Sequence, residues 1–114
     1  MQTREIPSHE WVPFLDQFSR RHQGAQVAIE VFGESLGALR EAASLPLVGV
    51  SVDLIDGGDN EQIEVMAGGP AGPHLLHAVT RPSGIQLAQD ERGEDQALQI
   101  TSADGTSTLL RLCH

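Results

Sequence analysis

Val48, Val50, Val52 and Leu54 are separated by Gly49, Ser51 and Asp53. Apolar side chains at every second position define a strand with one buried and one solvated face. The same period of two recurs at Val27, Ile29 and Val31, at Ile63 and Val65, at Ile85 and Leu87, and at Leu98 and Ile100. One polar face per strand points to an antiparallel sheet solvated on one side, since parallel sheets are buried on both.

The turns set the expected register. In "DGGDN" a four-residue loop over 57–60 places Leu54 opposite Ile63 and Val52 opposite Val65. In "SADGTS" a two-residue loop would mix the two faces. A three-residue loop over 103–105 sets Leu98 opposite Leu110 and Ile100 opposite Thr108, with Gly105 in the left-handed position. "TRPSGI" reads as a type I turn with Pro82 second and Gly84 fourth. "MAGGPAGPH" is a Gly/Pro connector and "DERGED" a hydrophilic loop tip. Residues 36–45 contain good helix formers but join two strands, so strand and helix both stand open there, with strand preferred.

Before this region the period changes. Trp11, Phe14, Leu15 and Phe18 fall at i, i+3, i+4 and i+7, one stripe of a helix. Ser8 is placed to cap its start, while Arg20, Arg21 and His22 complement the negative end of its dipole. Gly24 supplies a left-handed stop. Pro13 is harmless if the helix begins near Glu10, because its missing amide then belongs to the unbonded first turn. Three of the four aromatic residues lie on this stripe, and nothing later in the chain is bulky enough to replace them over a sheet. The expected architecture is α+β: a single domain, 1–114, with an N-terminal helix packed on a curled, mostly antiparallel sheet of six to seven strands, half-open and barrel-like.

Charge narrows the partners. Seven cations, all arginine, stand against sixteen acids, a formal charge of −9. Such a chain repels phosphate backbones and anionic lipid, so neither nucleic acid nor a membrane surface is an expected partner. The longest apolar run, residues 45–50, falls far short of the ~20 residues that span a bilayer. The absence of an apolar leader and the single cysteine, Cys113, give the cytoplasm as the expected compartment.

His74 and His77, three apart in "GPHLLHAV", are the first candidates for chemistry. On a strand they diverge, His77 lying beside Leu75 and Val79 and His74 beside Leu76 and Ala78. A helix that would bring them together is opposed by Pro73 and Pro82. No metal-ligand spacing is present, and the acidic turn of Asp56, Asp59, Asn60 and Glu61 misses the ladder of a calcium loop. No nucleophile elbow is present either, so neither a metal, a cofactor nor a catalytic residue is assigned. Phe32, Met66 and Leu109 fall on faces expected to be solvated, where apolar residues suit an interface.

Four segments, "REIPSHEWVPFLDQFSRRHQG", "LPLVGVSVDL", "HLLHAVTRP" and "ALQITSADGTSTLLRL", occur in this order. Together they resemble a family of small single-domain bacterial proteins known only as a domain of unknown function. The resemblance covers nearly the whole chain and implies a bacterial, cytosolic, stand-alone protein, with no catalytic or binding residue to carry over. Three functional readings therefore stand. The first is a non-catalytic interaction domain acting as a homodimer, with Phe32, Met66, Leu109, His74 and His77 as candidate contact residues for a protein or small-molecule partner. The second is a small-ligand binding protein using the interior or mouth of the sheet. The third is a hydrolase-type enzyme pairing His74 or His77 with a carboxylate.

Overall fold

The computed structural model describes residues 2–33, 37–55, 60–69, 72 and 74–113, with the side chains of 37–43, 54, 55 and 60 outside the description. Strand β1 (Gln2–Ile6) leads through a single 3-10 turn, Ser8–Glu10, into helix α1 (Trp11–His22). The chain continues with β2 (Gln26–Gly33), β3 (Gly37–Ile55), β4 (Asn60–Gly68), β5 (His74–Thr80), β6 (Pro82–Gln89), β7 (Asp95–Ser102) and β8 (Ser107–Leu112). The strands form one antiparallel sheet in the order β1-β6-β7-β8-β2-β3-β4-β5.

Eight strands replace the expected six to seven. The additional strand is β1, whose residues are exposed except for Ile6. An edge strand with one buried residue carries no apolar alternation for a sequence to display. Residues 37–45, left open between strand and helix by the sequence, are strand and run unbroken into the alternating segment that follows. The resulting 19-residue β3 pairs first with β2 and then, past Pro46, with β4. Proline is tolerated where β3 leaves one partner for the other, because no ladder bond is required of its nitrogen there. This change of partner curls the sheet. Edge strand β5 is brought back towards β7 and β8, where Ser102 Oγ donates to the Thr80 carbonyl at 2.7 Å and His77 Nε2 lies 3.0 Å from Thr108 Oγ1. The two outer strands, β1 and β5, are not paired, so the curl stays open.

The interior is filled. Ile29, Val50, Ile63, Val65, Ile85, Leu87, Leu98, Ile100 and Leu110 project from the concave face, and Trp11, Leu15 and Phe18 descend onto them from α1. Each such burial contributes about 1.5–3 kcal/mol, which fixes the helix on the sheet. The Trp11 Nε1–H, which apolar packing alone would strand, donates to the Ile6 carbonyl at 2.9 Å.

Several local expectations hold. Leu98 faces Leu110 and Ile100 faces Thr108 across the β7–β8 hairpin, with Gly105 at φ 92°. Gly24 ends the helix region at φ 85°. Pro13 is the third residue of α1 and so removes no helical bond.

Others are corrected. Ser8 makes no capping bond, because it lies inside the 3-10 turn that precedes α1. The β3–β4 register is slipped by two residues from the expected one, with Val52 opposite Ile63 and Leu54 opposite Glu61. A slip of two preserves the faces, which is why the apolar pattern could not detect it. Residues 56–59 of that turn, and with them the acidic positions Asp56 and Asp59, lie outside the described residues. Met66, Ala67 and Gly68 belong to β4 rather than to a connector. In place of a type I turn over 81–84, only Arg81 separates β5 from β6, at φ 48°. These two strands do not pair, so the chain turns a corner there rather than a hairpin.

Candidate functional site

Where the C-terminal half of α1 leaves the sheet, the two diverge into an open cleft of about 500 Å³. The helix contributes Phe14, Gln17, Arg21 and His22. These positions, i, i+3, i+7 and i+8, share one helical stripe. The sheet contributes Arg4 from β1, Leu87 and Gln89 from β6, and Asp95 from the start of β7, while Gly93 and Glu94 of the β6–β7 turn form the rim. Arg4 is paired in register with Leu87 and therefore projects on the helix side of the sheet.

The β6–β7 turn is held by its own side chains. Asp90 Oδ1 accepts from the Arg92 and Glu94 amides, both at 2.9 Å, and Gly93 takes a left-handed φ of 80°. That geometry delivers Asp95 into the wall of the cleft with its side chain only 6% exposed. "DERGED" is thus a loop tip only as far as Glu94, and its last acid is buried.

Three donors converge on Asp95. Arg21 Nη2 lies 2.8 Å and His22 Nε2 2.7 Å from Oδ2, and Gln89 Nε2 donates to Oδ1 at 3.0 Å. Burial pushes the carboxyl's pKa up, but the hydrogen bonds from His22, Arg21 and Gln89 and the charge of Arg21 outweigh it and hold the group below its ordinary 3.8. Asp95 is therefore ionised at neutral pH. An ionised carboxylate only accepts, so His22 Nε2 carries the proton that lies between them. The imidazole is fixed from its other side by Phe18, with ring centroids 4.7 Å apart.

A histidine oriented by a carboxylate is half of an acid–base arrangement. The residues lining the cleft include no serine, threonine or cysteine to act as nucleophile. Among the described residues no group of three or more His, Cys, Asp or Glu side chains is disposed to hold a metal ion. The arrangement offers polar contacts over an apolar wall formed by Phe14 and Leu87.

The residues singled out from sequence lie elsewhere. His74 and His77 diverge on β5 as expected. His77 sits half-buried on the inner face with Leu75 and Val79, and its ring meets Thr108, whereas His74 is exposed on the outer face with Leu76 and Ala78. Met66 is exposed on the outer face of β4, opposite Leu76 of β5. It also lines a groove of about 300 Å³ with Val12 and Ser19 of α1. Phe32 and Leu109 occupy diagonal positions on the outer face of β2 and β8, Phe32 exposed and Leu109 half-buried. The five residues are not brought together at one site. Arg4, Arg21, His22 and Asp95 were not among them. Asp95 stands 73 residues from His22, and no local spacing links the two.

No helix among the described residues is long and apolar enough to cross a membrane. A family model described as a family of unknown function, DUF5335, matches residues 2–114. A protein of Aquifex aeolicus (strain VF5), described only as uncharacterized, is 27% identical over 112 residues, which is 98% of this chain and 93% of that relative. No solved structure matches the chain.

Proposed function

We propose, for a chain that belongs to the DUF5335 family of unknown function, a non-catalytic binding role in which the cleft between α1 and the sheet holds a small molecule. The carrying observation is the composition of its wall: the apolar Phe14 and Leu87 beside the polar donors of Arg4, Gln17, Arg21 and Gln89. The volume falls within the ~300–1,000 Å³ common for small-ligand sites. The interior of the sheet is packed, which favours an open cleft such as this one over an enclosed pocket for a ligand. For a hydrolase-type enzyme with a histidine and a carboxylate, the tightest such pair among the described residues is His22 and Asp95, and Asp95 is already engaged by Arg21 and Gln89, which favours a structural role for the pair. The test is a thermal-shift screen of small metabolites followed by amide chemical-shift mapping. A compound that raises the melting temperature and perturbs residues 14–22 and 87–95 supports the reading. A screen at millimolar concentration that finds none, or whose shifts all fall elsewhere, removes it.

A separate observation favours self-association as a second role. Val12, Met66 and Leu76 are 64%, 38% and 60% exposed, around the groove on the opposite side of α1 and on the adjoining outer face. Homo-oligomer formation through this face is the interaction reading in structural form, with Phe32 and Leu109 standing apart from it on β2 and β8.

A further inference from the structure

We propose that the cleft takes an organic monoanion, a single carboxylate on an apolar body, with the carboxylate received between Arg4 and the unused edge of Arg21. The inference rests on the binding role proposed above and specifies its ligand.

It starts from the distribution of cations in a chain of formal charge −9. Arg20 is spent on Asp16 at 3.2 Å and Arg111 on Glu30 at 3.1 Å. Arg4 has no hydrogen-bond or ion-pair partner among the described residues, although acids outnumber cations more than two to one. Its register beside Leu87 turns it into the cleft, where the buried acid, Asp95, is already bonded to Arg21, His22 and Gln89. Arg21 gives Nη2 to Asp95 and keeps 47% of its side chain exposed, so further N–H donors of its fork remain for a ligand. Asp95 fixes that fork in place, which lowers the ordering cost of binding.

Charge balance selects a monoanion. Arg4 and Arg21 contribute +2 inside the cleft and the buried Asp95 returns −1, while Glu94 stands exposed on the rim. With the whole chain strongly acidic, a dianion would meet uncompensated repulsion, whereas one carboxylate can be matched by the Arg4 charge that Asp95 does not reach. The apolar body is argued from Phe14, which lies half-buried in the wall between the core and the opening.

The experiment titrates the full chain with sodium benzoate, with its neutral analogue benzyl alcohol and with phenyl phosphate, following amide shifts at low ionic strength. Benzoate is expected to perturb residues 14–22 and 87–95 and to bind about ten-fold more tightly than benzyl alcohol. Arg4→Gln is expected to remove most of that ten-fold advantage while leaving benzyl alcohol binding and the melting temperature unchanged. Equal binding of benzyl alcohol and benzoate in the cleft would overturn the anion assignment and leave the binding role standing. Tighter binding of phenyl phosphate would overturn the monoanion, as would an Arg4→Gln variant that holds benzoate as well as the parent. Binding of none of the three in the cleft would remove the inference, and failure of the broader screen as well would remove the role beneath it.

Discussion

Ser19 Oγ takes the place of a neighbouring strand for Val50: it accepts from the Val50 amide at 2.8 Å and donates to the Val50 carbonyl at 2.9 Å. Beyond Pro46, β3 has left β2, and its outer edge would otherwise present unpaired backbone groups. One hydroxyl of α1 satisfies both, so the helix is joined to the sheet by polar bonds as well as by Leu15 and Phe18. Ser19→Ala is expected to cost about 1–2 kcal/mol in urea unfolding. Gly49→Ala is expected to be nearly neutral, since a Cβ there would meet Ser19 at 3.6–3.7 Å, an ordinary contact. If Gly49→Ala proved the more damaging of the two, close approach rather than hydrogen bonding would be holding the helix.

Asp95 should govern part of the acid response. Its carboxyl is held below its ordinary value in the folded chain, so the stability it contributes is present above the unfolded pKa near 3.8. That contribution fades as pH falls through the lower folded value, when protonation breaks the bonds to His22 and Arg21. Unfolding free energy followed from pH 7 down to 2 should fall in this window for the parent. In Asp95→Asn the curve should start lower at pH 7 and slope less below pH 4. A parallel pair of curves would mean that the carboxylate's charge is irrelevant to the docking of the helix end.

Arg81 occupies the left-handed region at φ 48° with a side chain that is exposed. Its carbonyl accepts from the Ala103 amide at 2.9 Å, so the backbone of the corner is needed but the Cβ is not. Arg81→Gly should raise stability by up to about 1 kcal/mol, and Arg81→Val should lower it by about 1–2 kcal/mol because a β-branched side chain resists this conformation. Denaturation midpoints of the two variants, moving in opposite directions, provide the check.

These corners show where sequence and structure part. The helix stripe and the β7–β8 register were readable because each is a periodic apolar pattern tied to one nearby turn: Trp11, Leu15 and Phe18 in the first case, Leu98 and Ile100 around Gly105 in the second. The β3–β4 register was not, since pairing Val52 with Ile63 or with Val65 buries the same face. Strand β1 carries almost no apolar signal, because it is an edge held by β6 on one side. The cleft is harder still. Arg4, Arg21 and Asp95 belong to β1, α1 and β7, and only the folded sheet order places them side by side. Taken singly, each is a charged residue of the kind that ordinarily faces water.

Met66 and Leu76 oppose each other on the outer face of β4 and β5, where alternation would place polar residues, and Val12 of α1 borders the groove beside Met66. Three exposed aliphatic side chains make a small patch. Stable interfaces bury roughly 800 Å² on each partner, so association through this face alone should be weak, in the high micromolar range. Sedimentation velocity is expected to show a concentration-dependent shift from monomer towards dimer. Leu76→Glu should abolish that shift while changing monomer stability by less than about 0.5 kcal/mol, because the residue is 60% exposed. His74→Ala, on the same outer face of β5, should leave the shift in place, as its exposed imidazole contributes little apolar area. A parent chain that remains monomeric up to millimolar concentration would remove self-association and leave the cleft as the site through which the protein meets its partner.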